Sequence, residues 1–325
     1  YKRQSVENLA INALSSAPID LSCVTEITGS LTIESANTSS VDLSGVLYVG
    51  DIDIDGNGGL GAVDLSGVEQ LGTDLRVTQS GSLSTLDLRN LQVMNGDIYF
   101  SSSGLSDVNL SSLTATGDFI AYSSGLANLD LSMLGSAEKL ILESNGMTAL
   151  ALPSLTSVSY QIDLPHNNKL ESVSMPSLES VGYDLTIRDT TPLTTVDLSS
   201  LASIGGTFRF DSLHGVTSLD LPLFTSVGSS LQINHNNGLV SVSAPSLSSI
   251  GSHFTLEDNP ALTSVDFSSM SCVDGYTIDD NGLSEDDYYD LISHLSCITE
   301  GSLLVLQPSD ATEFCAGGSP VSYTH

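Results

Sequence analysis

The chain has 325 residues, of which 39 are acidic and only 8 are Lys or Arg, giving a net charge of −31. This charge repels phosphate backbones and anionic membrane surfaces, and so it excludes nucleic acid as an expected partner. Hydrophobic residues make up 40% of the chain, enough for a continuous core, but no run of 18 apolar residues predicts a transmembrane segment.

Residues 1–18 precede the repeats that fill most of the chain, and the sequence begins at Tyr1 rather than at Met. That start is expected of a chain whose signal peptide has been removed, or of a fragment. The segment carries spaced apolar residues, which predict a short helical cap over the N-terminal end of the array. They are Val6, Leu9, Ile11 and Leu14.

Residues 19–283 contain a repeat of about 23 residues, a period that is typical of a stacked solenoid. Most repeats open with a segment such as Val-Asp-Leu-Ser-Gly-Val at 41–46, whose third residue is apolar in every copy. From 41 onward, these third residues follow one another at intervals of 21 to 23 residues. They are Leu43, Leu65, Leu88, Leu110, Leu131, Leu152, Met175, Leu198, Leu221, Ala244 and Phe267.

A second short strand follows each of these segments, with an apolar residue on either side of one variable residue. This alternation indicates a strand that buries one face. A single coil cannot bury its apolar face alone, so the pattern predicts an all-β solenoid of about twelve stacked coils. The second strands lie at 31–33, 52–54, 75–77, 98–100, 119–121, 140–142, 162–164, 185–187, 208–210, 231–233, 254–256 and 276–278.

Two further positions recur in the turns of the repeat. An apolar residue followed by glycine often separates the two strands, as in Val227-Gly228, and glycine permits a turn there at no steric cost. Asn recurs just after the second strand, where we expect it to bond the backbone of the neighbouring coil and to tolerate a left-handed φ. These residues are Asn57, Asn145, Asn167, Asn236, Asn259 and Asn281.

Residues 284–325 are predicted to form a C-terminal cap that contains a helix and then a strand. Ser284-Glu285-Asp286-Asp287 resembles a capping box, and apolar residues follow it at helical spacing. The predicted helix covers 284–296, and the predicted strand covers Leu303–Leu306. This cap would shield the last coil of the array from solvent.

In this register the chain resembles receptor L-domain repeats, through the pattern L-x-x-V-D-L-S-S-L-x-x-I-G-x-x-L-x-I-x-x-N. The best matches are Leu193–Asp211, Val216–Asn236 and Leu239–Asn259, and the resemblance covers about 19–281. It is closest to the fungal GPI-anchored cell-wall proteins of the extracellular-mutant and sporulation-specific group, while the C-terminal cap resembles that of bacterial leucine-rich surface proteins. The resemblance implies a right-handed leucine-rich β-helix that supports a cell wall, without catalytic site or cofactor.

Four cysteines and two glycosylation sequons are compatible with an extracellular glycoprotein. The cysteines are Cys23, Cys272, Cys297 and Cys315, and the sequons begin at Asn37 and Asn109. The sequence predicts one disulfide at the C-terminal end, either Cys272–Cys297 or Cys297–Cys315. Cys23 lies in the first coil, too far from the others for a bond that needs Cα atoms within about 7 Å.

Two groups of acids raise the question of metal binding. Asp51–Gly58 matches the first half of an EF-hand loop, but Ala62 stands where a bidentate Glu is needed, so we favour a plain strand. A column of acids also recurs in the first strand, where accepting hydrogen bonds from turn N–H groups is favoured over binding cations between coils. It contains Asp42, Asp64, Asp87, Asp130, Asp197, Asp220 and Asp266, with Asn109 in the same column. No metal site is therefore assigned.

The variable residue of the second strand forms an outward column whose chemistry changes from coil to coil. In three consecutive coils it is Tyr99, Ile120 and Ile141, and Tyr122 lies beside them. A contiguous exposed apolar group is typical of an interaction surface, so these four residues are the predicted binding site.

The sequence thus predicts a non-enzymatic structural or adhesion glycoprotein at the cell surface or cell wall. Its expected partners are wall or surface glycans and proteins, copies of itself, and divalent cations as an additional candidate. One alternative is a filament linked end to end through Cys23 and a C-terminal cysteine. A second is a polysaccharide-cutting β-helix enzyme, which short coils without long loops and the absence of Trp make unfavourable.

Overall fold

The computed structural model describes residues 4–12, 15–270 and 273–294. Within these ranges the chain forms a β-solenoid of about 12 turns with parallel strands, which confirms the predicted architecture. A helix of 10 residues, Glu285–His294, follows the last coil. No helix in the described ranges is long and apolar enough to span a membrane.

One parallel sheet of 21 strands, here called the wide sheet, runs along the whole solenoid. All the predicted second strands lie in it, and in most coils a short strand precedes them at the apolar residue that ends the turn. In four coils these two strands are continuous. The wide sheet contains Gln4–Val6, Leu9–Ile11, Val24–Glu34, Tyr48–Asp55, Gln70–Leu71, Leu75–Thr78, Val93–Met94, Ile98–Ser101, Asp118–Tyr122, Ser136–Ala137, Lys139–Glu143, Ser157–Val158, Ile162–Pro165, Ser180–Val181, Leu185–Arg188, Ser203–Ile204, Phe208–Asp211, Ser226–Val227, Leu231–Asn234, Ser249–Glu257 and Val273–Asp279.

The predicted first strands form a second, narrower face, which is divided into sheets of 6, 3 and 3 strands. Each strand is only two or three residues long, because the segment turns immediately after its acidic position. These strands are Ile19–Asp20, Ser40–Asp42, Ala62–Asp64, Thr85–Asp87, Asp107–Asn109, Asn128–Asp130, Ala149–Ala151, Ser172–Ser174, Thr195–Asp197, Ser218–Asp220, Ser241–Ser243 and Ser264–Asp266.

A single hydrophobic core runs between the two faces. The third residue of every first-strand segment is buried in it, from Leu43 to Phe267, as are the apolar residues of the second strands. Phe208 packs edge-on against both Phe210 and Phe224, so aromatic rings join the two faces inside the coil. Each fully buried Leu or Phe contributes about 1.5–3 kcal/mol relative to an exposed one, so stacking provides the main stabilisation.

The recurring Asn residues form the amide ladder that the sequence predicts. Asn236 is fully buried, and its Nδ2 donates to the Phe210 carbonyl oxygen of the preceding coil at 3.0 Å. Its Oδ1 accepts the Leu213 N–H at 2.9 Å, and its own N–H donates to Asn259 Oδ1 at 3.1 Å. Each amide therefore satisfies buried backbone groups that the turn leaves without partners inside its own coil.

The left-handed backbone position lies one residue before the ladder and not at the Asn itself. His235, for example, has a φ of 55° and directly precedes Asn236. The prediction that Asn supplies the left-handed φ is therefore wrong, because the Asn side chain must point inward while the preceding residue makes the turn. The non-glycine residues with positive φ are Ser35, Gln79, Ser102, Ser123, Ser144, His166, Asp189, Ser212, His235, Asp258 and Asp280.

The glycines between the strands serve close approach rather than backbone freedom. At Gly228 the backbone does not adopt a positive φ, but a Cβ there would overlap the carbonyl oxygen of Gly205 in the preceding coil. Gly205 stands in the same relation to Gly182, and Gly251 to Gly228. The predicted reason for these glycines was therefore wrong, since it is the neighbouring coil that leaves no room for a side chain.

The acidic column of the first strand binds turn N–H groups, as favoured from the sequence. Oδ1 of Asp42 accepts the Ser44 N–H at 2.9 Å, and Oδ1 of Asp64 accepts the Ser66 N–H at 2.9 Å. Asn109 makes the same bond to the Ser111 N–H, at 3.1 Å. Where the column has Asp or Asn followed two residues later by an N–H donor, it thus caps the turn, which explains why a poor strand-forming residue recurs there.

A second set of acids, at the start of the wide-sheet strands, caps the next coil. Asp74 Oδ1 accepts the Asp97 N–H at 2.9 Å, and Asp184 Oδ1 accepts the Thr207 N–H at 2.6 Å. In both cases a glycine precedes the donor, and a Cβ on it would overlap the carboxylate. These two acids are thus matched to a glycine one coil later, Asp74 to Gly96 and Asp184 to Gly206.

The two ends of the array differ in how well they were predicted. The N-terminal helix is wrong, because Leu9–Ile11 continues the wide sheet in register with Leu31–Ile33 and buries Ile11. Its apolar–small–apolar pattern is that of a second strand. The C-terminal helix is confirmed, and Ser284 Oγ caps it by accepting the Asp287 N–H at 3.2 Å. The predicted strand Leu303–Leu306 lies outside the described residues.

Replacing a ladder amide should destabilise the solenoid far more than replacing its neighbour. Asn236→Ala leaves the Phe210 carbonyl and the Leu213 N–H buried without partners, and we expect a loss of about 2–4 kcal/mol in unfolding free energy. Urea unfolding followed by circular dichroism measures the loss. Asn237→Ala is the matched control, because Asn237 is exposed, and it should cost less than about 0.5 kcal/mol. Equal losses in the two variants would contradict the ladder's role.

Candidate binding face

The outward side of the wide sheet is the surface on which side chains vary most. Its strands alternate buried with partly exposed residues, as in Ile98–Ser101, so their variable positions face solvent. Four of the chain's eight Lys and Arg residues lie in its strands, although the chain as a whole is strongly acidic. They are Arg76, Lys139, Arg188 and Arg209.

The structure brings the predicted binding residues together. Tyr99 pairs with Ile120 in adjacent strands, and Ile120 pairs with Ile141. The rings of Tyr99 and Tyr122 meet edge to face with centroids 6.2 Å apart, and the guanidinium carbon of Arg76 lies 4.8 Å from the Tyr99 centroid. The cation and the two rings fix one another's orientation on the sheet.

Ile141 departs from the prediction, because only 8% of its surface is exposed. Its register with Ile120 places it in the outward column, and yet it is buried. The accessible part of the predicted site is therefore Tyr99, Ile120 and Tyr122. Burial raises the pKa of the Tyr122 hydroxyl, and the nearby charge of Glu143 raises it further, so this phenol stays neutral at neutral pH.

A second aromatic pair lies at the starting edge of the wide sheet and was missed by sequence reasoning. The rings of Tyr160 and Tyr183 are parallel, with centroids 5.0 Å apart and planes 5° apart. Lys139 Nζ lies 5.5 Å from the Tyr160 centroid and also pairs with Asp118 Oδ2 at 2.5 Å. A tyrosine at the same position of two consecutive repeats, just before the second strand, is the signal that could have found the pair.

Charged side chains link three coils near the other edge of the sheet. His235 Nδ1 lies 3.0 Å from Asp211 Oδ1, and His235 Nε2 lies 3.0 Å from Asp258 Oδ2. Asp211 is buried and also accepts from Arg209 at 2.6 Å. Burial acts to raise the pKa of Asp211, but the bonds from Arg209 and His235 outweigh it and hold the pKa below its ordinary value.

Two acids of the outward column lie in surroundings that raise the pKa of the carboxyl group, in contrast to Asp211. Oδ1 of Asp53 and Oδ1 of Asp163 are each buried without a hydrogen-bond partner. Burial raises the pKa of Asp163, and the charge of Arg188 offsets only part of this effect. Burial likewise raises the pKa of Asp53, against the charge of Arg76. These carboxylates are held on the face at the expense of their solvation.

The EF-hand-like segment is a plain strand in the structure. Ile52 and Ile54 are buried in the core, so only alternate residues of Asp51–Gly58 point outward. His166 and His235 occupy the same turn position in different coils, and His166 lies 3.6 Å from Asp189. Within the described ranges, no group of three or more His, Cys, Asp or Glu side chains is arranged to hold a metal ion.

The predicted modification sites have different surroundings. Asn37 is exposed, whereas Asn109 is half-buried with its Oδ1 bonded to the Ser111 N–H. Cys23 is exposed and carries a free thiol. The other predicted disulfide residues, Cys272, Cys297 and Cys315, lie outside the described residues.

No protein-family model matches this chain, and a search of curated proteins finds no match.

Two substitutions on the face should change stability in opposite directions. Asp163→Asn removes a buried charge whose pKa is raised, so at pH 7 it should increase the unfolding free energy. Asp211→Asn removes a charge that Arg209 and His235 stabilise. This substitution should therefore decrease the unfolding free energy by about 1–3 kcal/mol.

The pH dependence of the two effects follows from the signs of the shifts. The contribution of Asp211 is present above pH 3.8 and is lost as the pH falls through its lowered pKa. The contribution of Asp163 is present below pH 3.8 and is lost as the pH rises through its raised pKa. Urea unfolding of both variants between pH 3 and pH 7 measures this. If both variants changed the unfolding free energy in the same direction at pH 7, the opposite environments of Asp163 and Asp211 would be refuted.

Proposed function

We propose that this chain is a non-enzymatic extracellular protein of a cell wall or cell surface, acting as a rigid structural or adhesive rod. Its wide sheet is the binding face. The observation that carries the proposal is the contrast between inward and outward columns on the same strands: the inward residues are uniformly apolar, while the outward ones change from coil to coil.

The distribution of charge and aromatic groups supports a binding face on the wide sheet. An interface is typically enriched in Tyr and Arg and surrounded by polar groups, and this sheet holds Arg76, Tyr99 and Tyr122 in mutual contact. The narrow face instead carries an acidic column that is bonded to its own turns. The solenoid thus has one face suited to partners and one that maintains the fold.

The roles of the acids support a non-enzymatic protein. A glycoside hydrolase needs a pair of carboxylates flanking the scissile bond. Here Asp64 and Asp74, one from each regular column, accept a backbone N–H through Oδ1, so the recurrence of acids in these columns has a structural explanation. The exposed sequon residue Asn37 and the exposed thiol of Cys23 fit the proposed extracellular setting.

A charge placed in the aromatic cluster should abolish binding to the natural surface. The purified chain is sedimented with insoluble wall polysaccharides, namely β-glucan, chitin and peptidoglycan, and with extracted surface protein. Ile120→Asp should weaken the strongest of these interactions at least about tenfold, because it puts a carboxylate between Tyr99 and Tyr122.

Thr255→Asp is the matched control, because Thr255 lies in the same column of the same sheet, far from the tyrosines. It should leave binding within about twofold of the wild type. Equal losses in both variants, or no binding of the wild-type chain to any of these materials, would count against the proposed function.

The second candidate is a subunit of an extracellular filament, favoured by the exposed free thiol of Cys23 in the first coil. In that case a disulfide joins Cys23 to a C-terminal cysteine of another copy, and the contact does not close on itself. Non-reducing electrophoresis should then show a ladder of oligomers that collapses on reduction and is absent in Cys23→Ser. A monomeric band alone would eliminate the filament.

A further inference from the structure

The stacked pair of Tyr160 and Tyr183 has one ring face covered and one open. Tyr183 N–H donates to the Tyr160 carbonyl at 2.7 Å, so the two residues occupy the same position on consecutive coils. Lys139, one coil earlier, lies against Tyr160 on the side away from Tyr183. The stack is thus closed by a cation at one end, while both rings remain almost half exposed, at 44% and 48%.

The coil after Tyr183 offers no side chain to continue the stack. Gly206 N–H donates to the Tyr183 carbonyl at 2.7 Å, and Ser229 N–H donates to the Gly206 carbonyl at 2.9 Å, so these residues are the next two rungs of the column. The equivalent positions Tyr183 and Ser229 are therefore two strand spacings apart along the stack, roughly 9–10 Å, and the rung between them carries no ring. The exposure of Tyr183 leaves its side chain accessible to a ligand.

The polar group beside Gly206 is a carboxylate. A Cβ on Gly206 would overlap Asp184 Oδ1, so this carboxylate occupies the place that a side chain of Gly206 would take. Its Oδ1 accepts the Thr207 N–H, and Oδ2 lies outside that bond. A carboxylate oxygen accepts hydroxyl donors, and together with the net charge of −31 it disfavours an anionic ligand.

We propose that the exposed Tyr183 ring binds a neutral pyranose ring of a glycan, which continues the stack over the Gly206 rung beside Asp184. The C–H face of the sugar packs on the electron-rich face of the ring, and its hydroxyls donate to Asp184. The site rests on the proposed binding role of the solenoid and adds a ligand class to it. It lies at the starting edge of the wide sheet, apart from the cluster of Tyr99 and Tyr122.

Saturation-transfer NMR with defined oligosaccharides tests this site directly. The probes are hexamers of glucose in β-1,3 and β-1,4 linkage, of mannose, of galactose and of N-acetylglucosamine. At least one should receive saturation from the full chain. Tyr183→Ala should weaken its binding about tenfold, and Tyr183→Phe, which keeps the ring, should bind within about twofold of the wild type.

Two further variants separate stacking from folding. Tyr289→Ala removes a tyrosine of equal exposure, 47%, from the C-terminal helix and should leave binding unchanged. Tyr183→Leu keeps apolar bulk without a ring, so it should fail to bind while its Tm stays near that of the wild type. If binding is retained in Tyr183→Leu or Tyr183→Ala, or if no probe binds, the site is refuted.

The ligand class and the wider function fail in different ways. If no sugar binds but N-acetyl-tyrosine amide receives saturation in a Tyr183-dependent way, the glycan is refuted and the result points instead to an aromatic side chain of a protein partner. Wall sedimentation lost in Ile120→Asp but kept in Tyr183→Ala would overturn this site and leave the proposed function standing. If oligosaccharide binding depends on Tyr183 but the chain sediments with no wall material, the site stands and the proposed function is overturned.

Discussion

The structure depends on one constraint, which is that each coil lies directly on the next at the spacing of paired strands, about 4.8 Å. Every side chain therefore has the side chain of the same position as its nearest neighbour in the stack. Apolar groups satisfy this condition at once, and so the inward columns are uniform. A polar column is tolerated only where each member finds a partner of its own or shares one with the next coil.

The amide and the carboxylate meet this condition in different ways. An amide has both a donor and an acceptor, so Asn236 and Asn259 can link coil to coil without limit along the buried ladder. A carboxylate has only acceptors, and two in adjacent rungs repel each other. Asp42 and Asp64 are accommodated because each bonds an N–H of its own turn. A chain with 39 acids thus distributes them over many separate backbone donors.

The sequence predicted those features that the stacking constraint repeats. The core column, the second strands, the Asn ladder and the acidic caps each recur often enough to be recognised by their period. Features that depend on the neighbouring coil were less accessible, since a glycine such as Gly228 looks like a turn residue until the Gly205 carbonyl beneath it is seen. Leu9–Ile11 was mistaken for a helix because a single copy outside the period does not reveal its partner strand.

The candidate sites were predicted in part for the same reason. Tyr99 and Ile120 lie in a column that the repeat had already defined, so their proximity followed from the register. Tyr160 and Tyr183 lie outside the strands, at a position that elsewhere holds Gly, Ser, Thr or Glu, and a position that varies in this way carries no periodic signal. The burial of Ile141 does not follow from the register, which places this residue in the outward column.

Positions released from the stacking constraint are where recognition can develop. A side chain that is bonded to the next coil cannot be replaced without disturbing both, whereas an outward side chain of the wide sheet is free to change. Gly206 shows how the two conditions combine: it is glycine because Asp184, which caps the Thr207 N–H, occupies the place of a Cβ, and so no ring of that coil continues the stack of Tyr160 and Tyr183. A structural requirement of one coil thereby ends an aromatic stack. Because every rung carries the same backbone, such an end needs no change in the fold, only a different residue at one position of one coil.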